Sequence, residues 1–367
     1  MVESSREQTR VVSAEFPRDL LPLLRCSRDG GPLELAAELR SGAVGIIEGR
    51  LRCETCASEY RIEDGIACLL EGSLTSEDEH EIAMIDAGHA CTWPDHYVPP
   101  ADGWRSEYWD RMEIPFHLAE LEPLDGCRVL EFGCGDGRFT ILMAQMGARV
   151  LAVDFSLTAL HKLAWWLQIG VAPTTYQTVH RCSTADVRAH IGLVRADASH
   201  FHVAPRSFER ALSATPLDSR DERMRMYHTV ADALTDQGRY VGGVEHDSLL
   251  RRLLGLPIAR RYTSGGIFIE HFDMATLRCQ AAPYFAKLRI RPIRPFIPLV
   301  RRLPVPWSVW VSRLIGALPV LTHLGQILLL RAEHPIRPPV EGAMRPGNQL
   351  VKGFLRLCCV IKVDKFF

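Results

Sequence analysis

Across the middle of the chain, short apolar runs alternate with longer stretches whose apolar positions recur at helical spacing. The runs at 127–132, 148–154, 192–197 and Phe208–Ser213 end at or beside Gly, Asp or Ser, as strands buried in a parallel sheet do. A fifth run, 239–245, follows a helical segment at 222–234 and a Thr-Asp-Gln-Gly turn, and two more, 287–293 and 327–331, lie in the last third. Strands separated by helices predict an α/β fold built on a Rossmann-like seven-stranded sheet.

The region before these runs has another texture. Residues 17–70 carry Cys26, a Gly-Gly-Pro turn, Cys53 and Cys56, and an Asp64-Gly65 pair in hairpin position, which predicts a small N-terminal β-rich domain. Residues 71–104, acidic and then Pro-rich, read as a linker; 105–335 form the main domain, with a helical insertion at about 296–324, and 336–367 are a C-terminal tail. No internal repeat is present. The chain's 367 residues suit two or three domains, and 47% hydrophobic with 24% charged residues excludes a disordered or fibrous chain.

A net charge of −1 supplies no global field toward nucleic acid or an anionic surface. Locally, 71–125 holds 14 acidic against 2 basic residues, a net of −12, whereas 251–345 holds 15 basic against 4 acidic, a net of +11. An odd count of 11 Cys without a basic-then-apolar leader predicts a cytoplasmic chain with reduced thiols.

The most informative segment is Arg128-Val-Leu-Glu-Phe-Gly-Cys-Gly-Asp-Gly-Arg-Phe-Thr140, placed after a strand and before an apolar helical pattern. Gly133, Gly135 and Gly137 let the backbone turn and approach a ligand, and the next helix offers free N–H groups. The spacing is G-x-G-x-G, which is not the dinucleotide fingerprint G-x-G-x-x-G.

These residues resemble the class I S-adenosylmethionine-dependent methyltransferases, in particular the methyltransferase type 11 group. The resemblance covers about residues 105–335. It implies that Glu131 helps hold the amino acid part of S-adenosylmethionine over Gly133, Gly135 and Gly137, and that Asp154 in Leu-Ala-Val-Asp-Phe-Ser accepts from both ribose hydroxyls. It also implies that Asp197-Ala198 contacts the adenine amino group. Cys127 and Cys134 read as core or loop residues without chemistry, and Arg138 as a cap or a solvent-facing residue.

In the N-terminal ribbon, Cys26-Ser-Arg-Asp29 and Cys53-Glu-Thr-Cys56 have the spacing of two zinc knuckles, with Asp29 where a fourth Cys is expected. The text around them, including Leu23-Leu-Arg-Cys26 and Tyr60-Arg-Ile-Glu-Asp-Gly-Ile66, is similar to the short zinc-ribbon family known as a methyltransferase activator subunit. That resemblance implies a ribbon that stabilises a methyltransferase. Two readings stay open: one structural zinc on Cys26, Asp29, Cys53 and Cys56, or a vestigial ribbon with free thiols. Cys68 reads as core.

The stretch 303–330 has one full charge, Arg313, and length enough for a membrane span, but Pro304, Pro306, Gly316 and Pro319 break it and 326–333 reads as a buried last strand. Arg289, Arg291, Arg294, Arg301 and Arg302 precede Trp307 and Trp310. That pattern suits a cap over the site, a peripheral contact with lipid through 296–324, or RNA. In the tail, the pair Cys358-Cys359 is read as part of a packed or frayed terminus rather than an acylation site.

Methyl transfer from a sulfonium is an in-line displacement, so the protein mainly positions the acceptor and excludes water. The carboxyl ends of strands four and five point to Thr215, Asp218, Glu245, His246 and Asp247, with His246 the first candidate base and His271 the second. The expected function is transfer to a small, largely apolar acceptor. RNA or protein methylation and non-catalytic cofactor binding are the alternatives.

Overall fold

The computed structural model describes residues 13–70, 76–90, 103–174, 176, 183–214, 220–253, 255, 259–261, 268–295, 297, 300–318 and 325–337. The ribbon comprises β1 (Phe16–Pro17), a 3-10 turn (Arg18–Leu23), β2 (Leu33–Ser41), β3 (Gly45–Cys53), β4 (Glu59–Glu63) and β5 (Ile66–Cys68). Helices α1 (Ser76–Ala90) and α2 (Gly103–Leu121) follow. Next come β6 (Arg128–Phe132), α3 (Thr140–Gln145), β7 (Arg149–Asp154), α4 (Leu157–Ile169), α5 (Thr184–Ala189), β8 (Ile191–Arg195) and β9 (Phe208–Ser213). The last part holds α6 (Arg220–Ala233), β10 (Leu234–Glu245), α7 (Leu249–Leu253), β11 (Ala259–Arg261), β12 (Phe268–Glu270), α8 (Met274–Ala281), β13 (Phe285–Pro295), a 3-10 turn (Val300–Arg302), α9 (Val305–Gly316) and β14 (Gly325–Pro335).

The seven expected strands run in the order β8-β7-β6-β9-β10-β14-β13, parallel up to β10 and antiparallel beyond it. Strands β7 and β9 flank β6 on opposite sides, so the chain reverses its direction of travel across the sheet there and leaves a crevice beyond the carboxyl ends of β6 and β9. The Thr-Asp-Gln-Gly segment, read as a turn, lies within β10. A register shift between Leu234 and Arg239 absorbs it as a bulge against β9.

The ribbon does not form a sheet of its own. β5 pairs in parallel with β8 through Ile66↔Leu193, Ala67↔Val194 and Cys68↔Arg195, and Leu69 N donates to Arg195 O at 2.9 Å. The result is one 12-stranded sheet, larger than the seven-stranded sheet the sequence suggests. Alternation explains why this half-exposed edge folds: in β4, Tyr60 and Ile62 are buried while Glu59, Arg61 and Glu63 face solvent. Asp64 and Gly65 both adopt positive φ, the twist a two-residue hairpin requires before β5.

Part of the stretch read as a linker is helical. Asp86 of α1 accepts from Ser156 Oγ at 2.5 Å and from Thr158 N at 3.2 Å, setting a carboxylate at the N-terminus of α4. Helix α2 contains Pro115, which lacks the N–H that would reach Arg111 O. Arg313 of α9 donates to that carbonyl at 3.2 Å, and Tyr108 Oη meets Ser312 Oγ at 2.8 Å, so α9 is fastened along α2. At the other end of α2, Glu120 pairs with Arg291 and Arg331, both at 3.0 Å, joining the helix to β13 and β14. Helix α2 thus lies over the crevice side of the sheet with both ends anchored.

Candidate functional site

The glycine loop leaves the carboxyl end of β6 and is tied to its neighbour: Gly133 N and Cys134 N both donate to Val153 O, at 2.9 and 3.2 Å. Two of its glycines do different work. Gly137, with φ of 95°, has no room for a side chain, because a Cβ would lie 2.1 Å from Leu163 Cδ1. Gly135, with φ of 55°, faces open space where a Cβ would point. The first packs the loop on α4; the second leaves a concave backbone surface into which a ligand fits.

Two carboxylates bracket this surface. Glu131 is buried and accepts from Thr140 Oγ1 at 2.6 Å. Burial, opposed by that bond, pushes its carboxyl up to about 8, so the apo protein holds it largely protonated at neutral pH. Asp154, at the end of β7, accepts from Gly135 N through Oδ2 at 2.8 Å and from Ser156 N through Oδ1 at 2.9 Å. Asp197 lies beyond β8, accepting from Ser199 N at 2.8 Å and meeting His200 Nδ1 at 2.6 Å, with Ala198 buried beside it. Glu131, Gly133, Gly135, Gly137, Asp154, Asp197 and Ala198 therefore all stand at the carboxyl ends of adjacent strands β6, β7 and β8. Burial raises the Cys134 thiol well above its ordinary range, in keeping with a residue that takes no part in chemistry.

Above the loop, α2 contributes a charged and aromatic wall. Arg138 pairs with Asp110 at 3.0 Å and with Glu113 at 3.3 Å; Arg294 of β13 pairs with Glu113 and lies 3.7 Å from Glu245. Arg138 therefore bridges the loop to α2. His117 sits one turn beyond Glu113 and is only 2% exposed. Its Nδ1 lies 2.9 Å from Glu113 O, which requires that Nδ1 carry the proton, and its ring stands 5.2 Å from Phe139. The other nitrogen, Nε2, is buried with no hydrogen-bond partner among the described residues. A Cβ built on Gly243 would lie 2.9 Å from Nε2 and 3.7 Å from Ala214 O, which puts that nitrogen at the carboxyl ends of β9 and β10. Burial lowers the His117 pKa, so the ring is neutral and Nε2 is an acceptor.

His117 is a residue the sequence reading missed. Ile114, Leu118 and Leu121 share its helix at spacings of three and four and are buried, and that pattern would have placed His117 on an inward face. His246 and His271 are buried as well, but His246 is bound to β14: Nδ1 meets Gly325 O at 2.7 Å and the backbone N donates to Gln326 O at 2.8 Å. Asp247 is engaged by Arg252 at 2.8 Å. Thr215 and Asp218 lie outside the described residues.

In the ribbon, Cys26, Asp29, Cys53 and Cys56 bring one ligand atom each to within 4.8 Å of one another. Cys26 Sγ and Cys56 Sγ are 3.6 Å apart, and Cys53 Sγ lies 3.4 Å from Asp29 Oδ1. A tetrahedron of zinc–sulfur bonds of about 2.3 Å needs sulfurs about 3.8 Å apart, so the four residues fit a zinc ion. Backbone N–H groups of Thr55 and Cys56 approach Cys53 Sγ at 3.4 and 3.5 Å, as they would around a thiolate. Contacts from Ser58, side chain first, lower the Cys56 pKa, whereas burial raises Cys26 to about 11 in the metal-free protein.

Comparison with known proteins adds to this geometry. Residues 129–238 match the family described as methyltransferase domain. The chain carries a methyltransferase domain. The match begins within β6 and ends within β10, so it holds the glycine loop and all three acidic strand ends. Residues 18–65 match the Trm112p-like protein family, the ribbon with its four candidate ligands. Phosphoethanolamine N-methyltransferase 3 of Arabidopsis thaliana is 49% identical over 53 residues, 14% of this chain and 11% of that protein. Among solved structures, the chain aligns with 1,6-didemethyltoxoflavin-N1-methyltransferase of Burkholderia thailandensis at 17% identity, covering 72% of this chain and 93% of that one, with a TM-score of 0.43. It also aligns with phosphoethanolamine N-methyltransferase 1 of Haemonchus contortus at 16% identity, covering 78% and 54%, with a TM-score of 0.45.

Proposed function

We propose that the chain transfers the methyl group of S-adenosylmethionine to a small acceptor that carries no phosphate, seated between α2 and the carboxyl ends of β9 and β10. The observation that carries this reading is the open backbone surface at Gly135 between Glu131 and Asp154. Glu131 holds the amino acid part, its carboxyl ionising beside the cofactor's ammonium. Asp154 accepts from the ribose hydroxyls, and Asp197 with Ala198 borders the adenine. When bound, S-adenosylmethionine supplies a methyl group on a positively charged sulfur. The chain's own contribution is orientation and exclusion of water, worth about 7 to 11 kcal/mol of barrier in well-oriented systems.

Where the acceptor atom bears a proton, His117 Nε2 takes it: the nitrogen is neutral, buried and aimed at the strand ends where the acceptor lies. His246 and His271 are the second candidates. Arg138 and Arg294 are already paired with Asp110, Glu113 and Glu245. A phosphate dianion would have to displace those carboxylates, which supports a neutral, largely apolar acceptor. The second reading is a phosphoethanolamine-like acceptor, favoured by the 53-residue match with the Arabidopsis enzyme. Methylation of RNA ranks lower, since the outer face of β3 and β4 mixes Arg50, Arg52 and Arg61 with Glu48, Glu59 and Glu63. The ribbon holds one structural zinc on Cys26, Asp29, Cys53 and Cys56 in this reading.

Calorimetry with S-adenosylhomocysteine tests the cofactor site. Asp154→Ala should weaken binding by about 1.5 to 3 kcal/mol for each charged hydrogen bond lost, and an unchanged affinity would overturn the assignment. Labelled S-adenosylmethionine offered with phenolic, quinone-like, amine, phosphoethanolamine and structured-RNA acceptors then ranks the readings. With the accepted substrate, His117→Asn should lower turnover by about 10² or more and abolish the acid limb of the pH profile while leaving cofactor affinity intact. The same loss in His246→Asn but not in His117→Asn would move the base to His246.

A further inference from the structure

We infer that the outer face of α9 docks on an anionic lipid surface. This inference stands apart from the methyl-transfer reading, because it rests on exposed side chains that form no part of the cofactor site. Of the ten large hydrophobic side chains exposed among the described residues, five lie between Leu303 and Leu318. Such clustering in 16 residues marks an interaction surface, whereas scattered single exposures do not. Trp307 and Trp310 are 62% and 59% exposed, and their rings meet edge to face at 6.2 Å.

Helical spacing gathers these side chains into one stripe. Trp307, Trp310, Leu314 and Leu318 follow at intervals of three and four, while Val305, Val309 and Ser312 turn inward toward α2 and Ser308 is buried against the preceding turn. The buried side of α9 is therefore already occupied, and the Trp side is a second apolar stripe on a helix that needs only one. Charge identifies what covers it. Arg301, Arg302 and Arg313 are exposed along its border, and no Asp or Glu occurs between Arg294 and Arg331. Indole rings at the level of lipid headgroups, flanked by guanidinium groups on a segment without Asp or Glu, match a negatively charged membrane interface. A second copy of α9 would set arginines against arginines. The 338–367 segment, with five basic and two acidic residues, carries the same sign of charge and is a poor cover for the same reason. The helix spans only Val305–Gly316, and no helix among the described residues is long and apolar enough to cross a membrane, so the contact is interfacial.

The experiment is flotation of the full chain with vesicles of phosphatidylcholine alone and of phosphatidylcholine mixed with phosphatidylglycerol, at low and high salt. Binding to the mixed vesicles, weakened by salt, is expected. Trp307→Ala with Trp310→Ala should reduce it about tenfold or more, and each of Arg301→Gln and Arg302→Gln by about fivefold. S-adenosylhomocysteine affinity serves as the folding control and should not change. Equal binding to neutral vesicles, or no binding to either, overturns the inference. So does a monomer–dimer equilibrium that the Trp pair shifts in the absence of lipid, which would make the face a contact between copies. Salt-sensitive retention of structured RNA lost in the arginine variants, without vesicle binding, would assign the face to RNA instead.

Discussion

Glu131 shows how a single buried side chain ties stability to pH. Its carboxyl is buried, accepts from Thr140 and carries a proton up to about pH 8. A folded-state pKa raised above an ordinary value of 4.5 contributes stability that is complete below pH 4.5 and lost as pH rises through 8. We therefore expect the cofactor-free protein to lose stability between about pH 5 and pH 8, relative to Glu131→Gln, by an amount on the order of a few kcal/mol. Melting curves of the two proteins at several pH values check this, and parallel profiles would contradict it. His117 belongs at this scale too. A buried imidazole nitrogen without a partner costs stability, which a ligand hydrogen bond at that point would recover.

At the scale of elements, the legible parts were those whose pattern is local. Strand β9 coincides with its apolar run, and β6 and β7 each begin one residue later than theirs, because buried parallel strands write themselves as short apolar segments. The crevice residues Glu131, Asp154 and Asp197 were legible for the same reason, each standing at or just beyond the end of such a segment. What could not be read is whatever depends on a distant partner. Helix α2 contains Pro115, which argues against a helix until Arg313, 202 residues away, satisfies the freed carbonyl. The acidic composition of 71–90 reads as linker until Asp86 meets the start of α4. His117 inherits that difficulty, since its place beside the strand ends is set only once α2 lies over Gly243. The ribbon knuckles were legible from spacing, and they carry a prediction of their own. Metal analysis of protein purified without chelator should find one zinc per chain, and a strong chelator should lower the melting temperature by several degrees. Cys53→Ser should abolish the metal-dependent part of that shift. Protein without zinc, whose melting is unaffected when the ion is added, would leave the ribbon as a fold held by its core alone.

The whole molecule is joined by a seam that runs through both halves. Strand β5 is covalently part of the ribbon and hydrogen-bonded into the main sheet beside β8. One hydrophobic cluster contains Phe16, Leu20 and Leu24 from the ribbon together with Leu151, Val153 and Val194 from the main sheet. Close packing leaves Gly192 no freedom: a Cβ there would lie 3.0 Å from Leu20 Cδ1 and 3.2 Å from the Phe16 ring. A core shared in this way cannot come apart in two stages without exposing apolar surface on both sides, at about 25 cal/mol per Å². The two halves should therefore unfold together, and the distribution of tryptophan provides independent probes. None of the seven Trp lies in the ribbon and five lie in the main domain, so their fluorescence reports regions outside the ribbon, whereas amide hydrogen exchange in β3 and β4 reports the ribbon. We expect the two probes to give the same midpoint in denaturant. We further expect Ala67→Pro, which removes an N–H and a strand conformation from β5, to lower both midpoints together, by an amount corresponding to about 3 kcal/mol of unfolding free energy. A ribbon that exchanges its amides freely while tryptophan fluorescence remains native would show instead that the ribbon is an independent appendage, and that the cluster joining it to the main sheet contributes little to the stability of either.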